Sequence, residues 1–149
     1  MEVRIKLFGK ILVALDGSKP SFDALEYATT IAANCNSTEL ALVHVVPKVA
    51  VFGAESYFIE TTSAAFEKSG KQVLVEAEKK VKQKKGKFKV STKLLIGNPG
   101  DEIVKLAKDE KFDLIVIGSR GLHGASEWIL GSVSNKVVNW ATVPVFVIK

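Results

Sequence analysis

The chain has 149 residues, a hydrophobic content of 47% and a formal net charge of +5, which is typical of one globular domain with a buried core and excludes a disordered or fibrous chain. No apolar run approaches the roughly 20 residues that a membrane-spanning helix needs, so we expect no membrane insertion. Cys35 is the single cysteine, which excludes an internal disulfide, and we expect one domain over residues 1–149 in a reducing, cytoplasmic setting.

Five short apolar runs rich in β-branched residues predict strands. They are Ile11–Leu15, Leu40–Val46, Phe88–Ile96, Leu114–Ile117 and Val143–Ile148. Four of these runs are nearly continuous, as in parallel strands that are covered on both faces. The third run alternates with Lys87, Lys89 and Lys93, which favours a position at the edge of the sheet.

Helical patterns separate the strands, at Pro20–Asn34, about Ser63–Lys85, Pro99–Lys111 and Ser132–Thr142. Asn98 is predicted to cap the third helix, because Pro99 suits the first helical position. The alternation of strands and helices predicts an α/β fold, a three-layer α/β/α sandwich whose five-stranded parallel sheet is flavodoxin-like or Rossmann-like. If the strand order is 3-2-1-4-5, the loops after the first and fourth strands lie beside one crevice.

A group of lysines lies at the end of the second helical pattern and just after it, at Lys79, Lys80, Lys82, Lys84, Lys85, Lys87 and Lys89. A nucleic-acid-binding surface is one interpretation. However, cations also complement the dipole at the end of a helix and keep a surface solvated. No known nucleic-acid-binding motif accompanies the lysines, so we expect no nucleic-acid partner.

A glycine array, Gly118-x2-Gly121-x9-Gly131-Ser132, lies between the fourth strand and the last helix. Glycines let the main chain approach a ligand closely, and a helix N-terminus offers unpaired N–H groups to an anion. The array therefore predicts a phosphate-binding site. Neither the G-x-x-x-x-G-K-[ST] motif of P-loop proteins nor a G-x-G-x-x-G motif after the first strand is present, so a site without a dedicated lysine is expected.

This array resembles the G-x2-G-x9-G-[ST] motif that marks the ATP-binding branch of the universal stress protein family. The resemblance extends to the strands at Ile11–Ser18, Leu42–Val45, Asp113–Ser119 and Val143–Ile148, and so covers essentially the whole chain. It implies homodimers in which the last strands pair antiparallel, which would cover an exposed edge of the sheet.

The resemblance also implies an ATP site, with Mg²⁺ bound mainly through the phosphates. It places Asp16 near the ribose and phosphates, main-chain groups of Val43–Val45 at the adenine, and the glycine array along the triphosphate. The implied cofactor-binding residues are Ala14, Asp16, Val43, Val45, Gly118, Arg120, Gly121, Gly131, Ser132, Val133 and Ser134. No catalytic residue and no metal-ligating side chain is predicted.

Several of these residues also have a purely structural interpretation. Gly118 and Gly131 can simply end a strand and precede a helix, and Asp16 can form an Asx-type turn. Arg120 either reaches the phosphates or faces solvent, and His123 has the same two interpretations. Two other residues are interpreted as structural: His44 as a satisfied strand histidine and Asp113 as a solvated or loop-bonding carboxylate. Trp128 and Trp140 are candidates for the dimer interface, although the helical spacing of Trp140 from Val137 favours a core position for Trp140.

The sequence thus favours a nucleotide-responsive regulatory or stress-survival protein that binds ATP as a homodimer. It shows no Walker-type lysine and no evident general base, so binding is favoured over turnover. The alternatives are a slow ATP hydrolase, a protein-interaction module without nucleotide, and an FMN-binding protein of related architecture. Residues 47–62 are rich in apolar side chains for a loop, and they either pack over the end of the sheet, form a lid or contact a second subunit.

Overall fold

The structure, a computed structural model, describes residues 7–37, 39–48, 56–121 and 129–149. Within these residues, five strands and four helices alternate. The strands are β1 (Lys10–Ala14), β2 (Glu39–Pro47), β3 (Lys89–Gly97), β4 (Leu114–Gly118) and β5 (Val145–Ile148). The helices are α1 (Lys19–Asn34), α2 (Ser56–Lys82), α3 (Pro99–Asp109) and α4 (Ser132–Trp140). None of the described helices is long and apolar enough to cross a membrane.

The strands form one parallel sheet in the order β3-β2-β1-β4-β5. The order confirms the arrangement 3-2-1-4-5, and β3 lies at an edge as its lysines predicted. Lys87 and Lys89 are both exposed there. β5 forms the opposite edge of the sheet.

The central strands are mostly apolar because a core lies on each side of them. Ile11 and Val13 of β1 face one core, which packs against α1 and α2. Leu12 and Ala14 face the other core, which packs against α3 and α4. Successive side chains of a strand point to opposite faces, so both sets need apolar residues. The three-layer α/β/α sandwich is therefore confirmed.

The N-termini of the helices differ in how they are capped. The Ser18 side chain accepts a hydrogen bond from Ser21 N at the start of α1, and Asn98 accepts one from Asp101 N at the start of α3. Asn98 thus caps its helix as predicted. At α4 the preceding residue is Gly131, which has no side chain to make such a bond. The first turn of α4 is accordingly left open to another acceptor.

Some boundaries and one burial prediction are wrong. α2 begins at Ser56, about seven residues before the predicted start, because no Gly or Pro interrupts residues 56–69. α4 ends at Trp140 rather than Thr142, and β5 begins after Pro144, which has no N–H for the sheet. Trp140, predicted as a core residue, is 70% exposed, together with Val138 and Asn139 in the last turn of α4. Residues 49–55, which belong to the apolar segment 47–62, lie outside the described residues.

Candidate functional site

The candidate site lies between β1 and β4, where the order in which the strands are added to the sheet changes direction. β2 and β3 follow on one side of β1, whereas β4 and β5 follow on the other. Because β1 and β4 are adjacent and parallel, their last residues, Ala14 and Gly118, lie at the same carboxyl end of the sheet. Open α/β sheets bind ligands in the crevice at such a reversal. The loops that begin at Leu15 and Ser119 form the two sides of this crevice.

The loop after β1 is a turn organised by Asp16. Its Oδ1 accepts hydrogen bonds from Ser18 N at 2.9 Å and from the Ser18 hydroxyl. Gly17, between them, has φ +89°, a conformation that favours glycine. The Asx-type turn is therefore present. Asp16 uses Oδ1 for these bonds, and Oδ2 accepts none within the part of the chain that the structure describes.

The two loops meet beside this free carboxylate oxygen. The Ser18 hydroxyl lies 3.5 Å from the carbonyl oxygen of Arg120. A Cβ added to Gly121 would lie 2.8 Å from Asp16 Oδ2. The two loops thus line one crevice, as the predicted strand order implied, and the glycine at 121 leaves Asp16 Oδ2 uncovered.

Hydrogen bonds around Ser119 hold the glycine array in place. Gly131 N donates to the Ser119 carbonyl at 2.7 Å, and the Ser134 hydroxyl donates to the same carbonyl at 2.9 Å. Ser119 N donates to Ile148 O at 2.7 Å. A Cβ added to Gly131 would come within 3.4 Å of the Arg120 Cα. The start of α4 is therefore fixed closely against the end of β4.

The first turn of α4 presents main-chain donors at the crevice. Ser132 and Val133 are its first two residues, and their N–H groups have no acceptor within the helix. Ser132 is exposed and Val133 is half-buried. The N-terminal end of a helix also carries a partial positive charge, which favours an anion. Among the described residues, the α4 N-terminus and Asp16 Oδ2 are thus two polar groups of the crevice without a hydrogen-bond partner.

Three of the predicted site residues are buried beneath the crevice. A Cβ on Gly118 would lie 2.8 Å from Pro20 C and 2.9 Å from Ser21 N, so this glycine lets β4 pass the first turn of α1. The Ser134 side chain is buried, and its hydroxyl donates to Ser119 O and Gly131 O. Ala14 is a buried strand residue. In this structure all three residues support the residues above them.

On the other side of β1, main-chain groups of β2 extend beyond the end of that strand. Leu15 N donates to Val43 O at 2.8 Å, so residue 43 directs its main-chain groups toward β1. Val45 has the same orientation, because residues two apart in a strand face the same way. Within residues 39–48 and 7–37, no main-chain hydrogen bond joins Val45 to the loop after β1. Val43 O is thus occupied, and Val45 offers an N–H and a C=O.

The remaining candidates divide between structural and open roles. His44 Nδ1 donates to Leu15 O at 2.7 Å, and Asp113 Oδ2 accepts from Lys10 N at 2.8 Å, which confirms the structural interpretation of both. Arg120 is half-buried, and its guanidinium makes no ion pair or hydrogen bond with the described residues. His123 and Trp128 lie outside the described residues. Among those that are described, no three His, Cys, Asp or Glu side chains cluster as metal ligands do.

Two supporting residues are not among the predicted site residues. Ser18 caps α1 and also fixes the Asp16 carboxylate, and its spacing two residues after an Asp and two before a Pro is a usable signal. Ser119 organises the glycine array through its main chain, and no side-chain pattern signals that role.

Comparison with known proteins gives consistent similarities. The profile of the universal stress protein family matches residues 7–149. The universal stress protein YxiE of Bacillus subtilis is 34% identical over 151 residues, which span 96% of this chain and 100% of that protein. The solved structure of the universal stress protein UspA from Lactobacillus plantarum is similar with a TM-score of 0.86 at 26% identity, over 94% of this chain and 97% of that chain.

Two further solved structures contain adenine nucleotides. A universal stress protein in complex with cAMP is similar with a TM-score of 0.73 at 24% identity, over 96% of this chain and 98% of that chain. A universal stress protein from Archaeoglobus fulgidus in complex with dAMP has a TM-score of 0.66 at 24% identity, over 96% of this chain and 99% of that chain. At this identity, both similarities concern the fold.

Proposed function

This chain belongs to the universal stress protein family, and we propose that it binds ATP in the crevice between β1 and β4 and acts as a nucleotide-responsive regulatory or stress-survival protein. One observation carries the proposal: the uncapped N-terminus of α4 and the free Asp16 Oδ2 lie on the two sides of the same crevice. The helix N-terminus favours an anion, whereas the carboxylate oxygen accepts hydrogen bonds from hydroxyl groups. Together they suit a ligand that has an anionic part and a hydroxyl-bearing part.

The triphosphate is assigned to the glycine array and the start of α4. Ser132 N, Val133 N and the Ser132 hydroxyl are available donors, and the helix dipole favours the phosphate charge. The Arg120 guanidinium, which is unpaired among the described residues, supplies a full positive charge beside Gly121. Gly118 and Ser134 hold this cradle from below rather than contacting the ligand. Neutral donors with one arginine can hold a polyphosphate without a P-loop lysine.

The nucleoside is assigned to the β1 side of the crevice. A carboxylate oxygen such as Asp16 Oδ2 accepts hydrogen bonds from ribose hydroxyls, and a free N–H and C=O on Val45 match the acceptor and donor on the edge of adenine. Mg²⁺ would be held mainly by the phosphates, because oxygen ligands suit it and it retains several waters. The structures with cAMP and dAMP support the proposal by showing that this fold accommodates adenine nucleotides.

The proposal is tested by mass spectrometry of small molecules released from the purified protein, followed by calorimetric titration of the nucleotide-free protein with ATP and Mg²⁺. We expect ATP to be recovered and to rebind. For Gly121→Ala we expect about tenfold weaker binding, because the added methyl group displaces the Asp16 carboxylate. In the matched variant Gly100→Ala, the nearest atoms to the methyl group belong to the Lys136 side chain rather than to the crevice, and binding should be unchanged.

The outcomes separate the alternatives. Recovery of ADP together with steady ADP production from added ATP would favour a slow hydrolase. An absence of released nucleotide and of any heat with ATP would contradict ATP binding and favour a protein-interaction module. Recovery of a yellow flavin would favour the FMN alternative.

The proposal includes a homodimer formed through β5. Ile115 N donates to Pro144 O, and Ser119 N donates to Ile148 O. The main-chain groups of the even-numbered residues along β5 are therefore directed toward β4. Val145 and Val147 therefore direct their main-chain groups to the outer edge. Phe146 is 40% exposed and Trp140 is 70% exposed, which adds apolar surface near the end of the chain. An unpaired edge with exposed aromatic residues favours pairing with a second copy.

Val147→Pro is expected to convert the dimer to a monomer in analytical ultracentrifugation. Proline removes one N–H from the outer edge, while the hydrogen bonds to β4 come from the other residues. Val147→Thr keeps the N–H group and should remain dimeric. A folded Val147→Pro variant that sediments as a dimer would rule out this interface.

A further inference from the structure

The ladder of main-chain hydrogen bonds between β1 and β2 ends one bond earlier than the geometry of the two strands would allow. Ala14 pairs with Val43, and Leu15 N donates to Val43 O. Continuing a parallel ladder by one step would bring Val45 N onto the carbonyl oxygen of Leu15. That bond is absent among the described residues, although β2 continues to Pro47.

A side chain occupies the Leu15 carbonyl instead. His44 Nδ1 lies 2.7 Å from Leu15 O. Because a carbonyl only accepts, Nδ1 carries the hydrogen in this bond. His44 thus donates to the Leu15 carbonyl, which the Val45 N–H would otherwise use as its acceptor. Because buried carbonyl groups are stabilised by hydrogen bonding, this carbonyl is expected to keep its bond to His44.

The imidazole is fixed by its packing against α2. A Cβ added to Gly70 would lie 2.5 Å from His44 Cδ2 and 2.9 Å from His44 Nε2, so the ring fills the space above this glycine. Leu94 Cδ1 lies 2.9 Å from the same point and borders the same space. The ring is therefore held in the position that reaches Leu15 O.

We propose that His44 is a positioning residue that takes the Leu15 carbonyl and thereby keeps the Val45 N–H free to donate to the base of the nucleotide. This inference rests on the proposed function for the ligand, whereas the open ladder itself does not depend on it. His44 acts through Val45 and through the loop that carries Asp16. Its removal should let β2 and the loop close onto each other.

The direct test is amide hydrogen exchange of the nucleotide-free protein, followed by NMR. In the unmodified chain we expect Val45 N–H to exchange rapidly, whereas Val43 N–H, inside the ladder, is protected. In His44→Leu, Leu15 O loses its donor, and protection of Val45 should rise about tenfold as the two main-chain groups pair. His44→Asn places an amide donor where Nδ1 is and should keep Val45 unprotected.

Nucleotide affinity gives the second measurement. We expect about tenfold weaker ATP binding for His44→Leu and near-normal binding for His44→Asn. If His44→Leu does not fold, Gly70→Ala serves instead, since its methyl group displaces the ring while the histidine is retained. The inference is overturned if Val45 is as protected as Val43 in the unmodified chain, or if His44→Leu leaves both exchange and affinity unchanged. A rapidly exchanging Val45 in a protein that fails to bind ATP would contradict the proposed function and leave the open ladder supported.

Discussion

Replacing Gly118 with alanine is expected to lower the free energy of unfolding by about 3 kcal/mol, at the upper end of the usual cost of overpacking. The added Cβ would lie 2.8 Å from Pro20 C and 2.9 Å from Pro20 O and Ser21 N. All three are main-chain atoms, which cannot rotate away as a side chain does. Relief requires β4 to separate from α1, and both elements contribute buried residues to the core.

Urea denaturation followed by circular dichroism measures this change, with Gly131→Ala as the matched control. Among the described residues other than its chain neighbours, the nearest atoms to a Cβ on Gly131 lie at 3.4 Å, and its φ of −60° suits alanine. We expect Gly131→Ala to alter stability by less than about 1 kcal/mol. Equal stabilities for the two variants would show that Gly118 does not mark a close approach of main chains.

Replacing Ser132 with aspartate is expected to weaken ATP binding by at least about 30-fold while leaving the protein as stable or slightly more stable. A carboxylate in the first turn of α4 interacts favourably with the helix dipole, by about 0.3–1 kcal/mol. The same carboxylate repels phosphates at the helix N-terminus. Two like charges about 4 Å apart near a surface repel by as much as about 4 kcal/mol. Stability and affinity should therefore change in opposite directions.

Calorimetric titration and thermal denaturation of the same preparations provide both measurements. Asparagine is nearly the same size as aspartate but carries no charge, so Ser132→Asn separates electrostatic repulsion from steric change. We expect its affinity to fall by only a few-fold. If the aspartate and asparagine variants bind ATP equally well, the phosphates do not lie at the start of α4.

The fold follows from local patterns whose physical causes are close in sequence. Continuous apolar runs such as Leu114–Ile117 indicate strands buried on both faces, and the lysines beside the third strand indicate an edge. The cap at Asn98 is likewise a local effect, because the side chain bonds a main-chain N–H three residues later. Boundaries were less accurate, since the end of α4 depends on how the chain turns before Pro144.

The proposed division of the site into ligand-contacting and supporting residues could not be predicted from the sequence. Gly118 and Gly121 belong to the same motif, yet one faces the main chain of α1 and the other faces a carboxylate. Ser132 and Ser134 are two residues apart on one helix, so one is exposed and the other points to Ser119 O. These roles depend on which distant segment lies opposite each residue. That information arises only when β1 and β4 become neighbours.

The contrasting edges of the sheet limit how large an assembly can grow. The β5 edge is apolar, whereas the β3 edge is flanked by the exposed Lys87 and Lys89. Two copies joined through β5, as proposed, would form one continuous sheet that ends in β3 on both sides. Because like-charged lysines would face each other if two β3 edges met, addition of a third copy through β3 would be unfavourable. In the proposed dimer, the charge beside β3 would therefore disfavour growth of the sheet in the hydrogen-bonding direction, perpendicular to the strands.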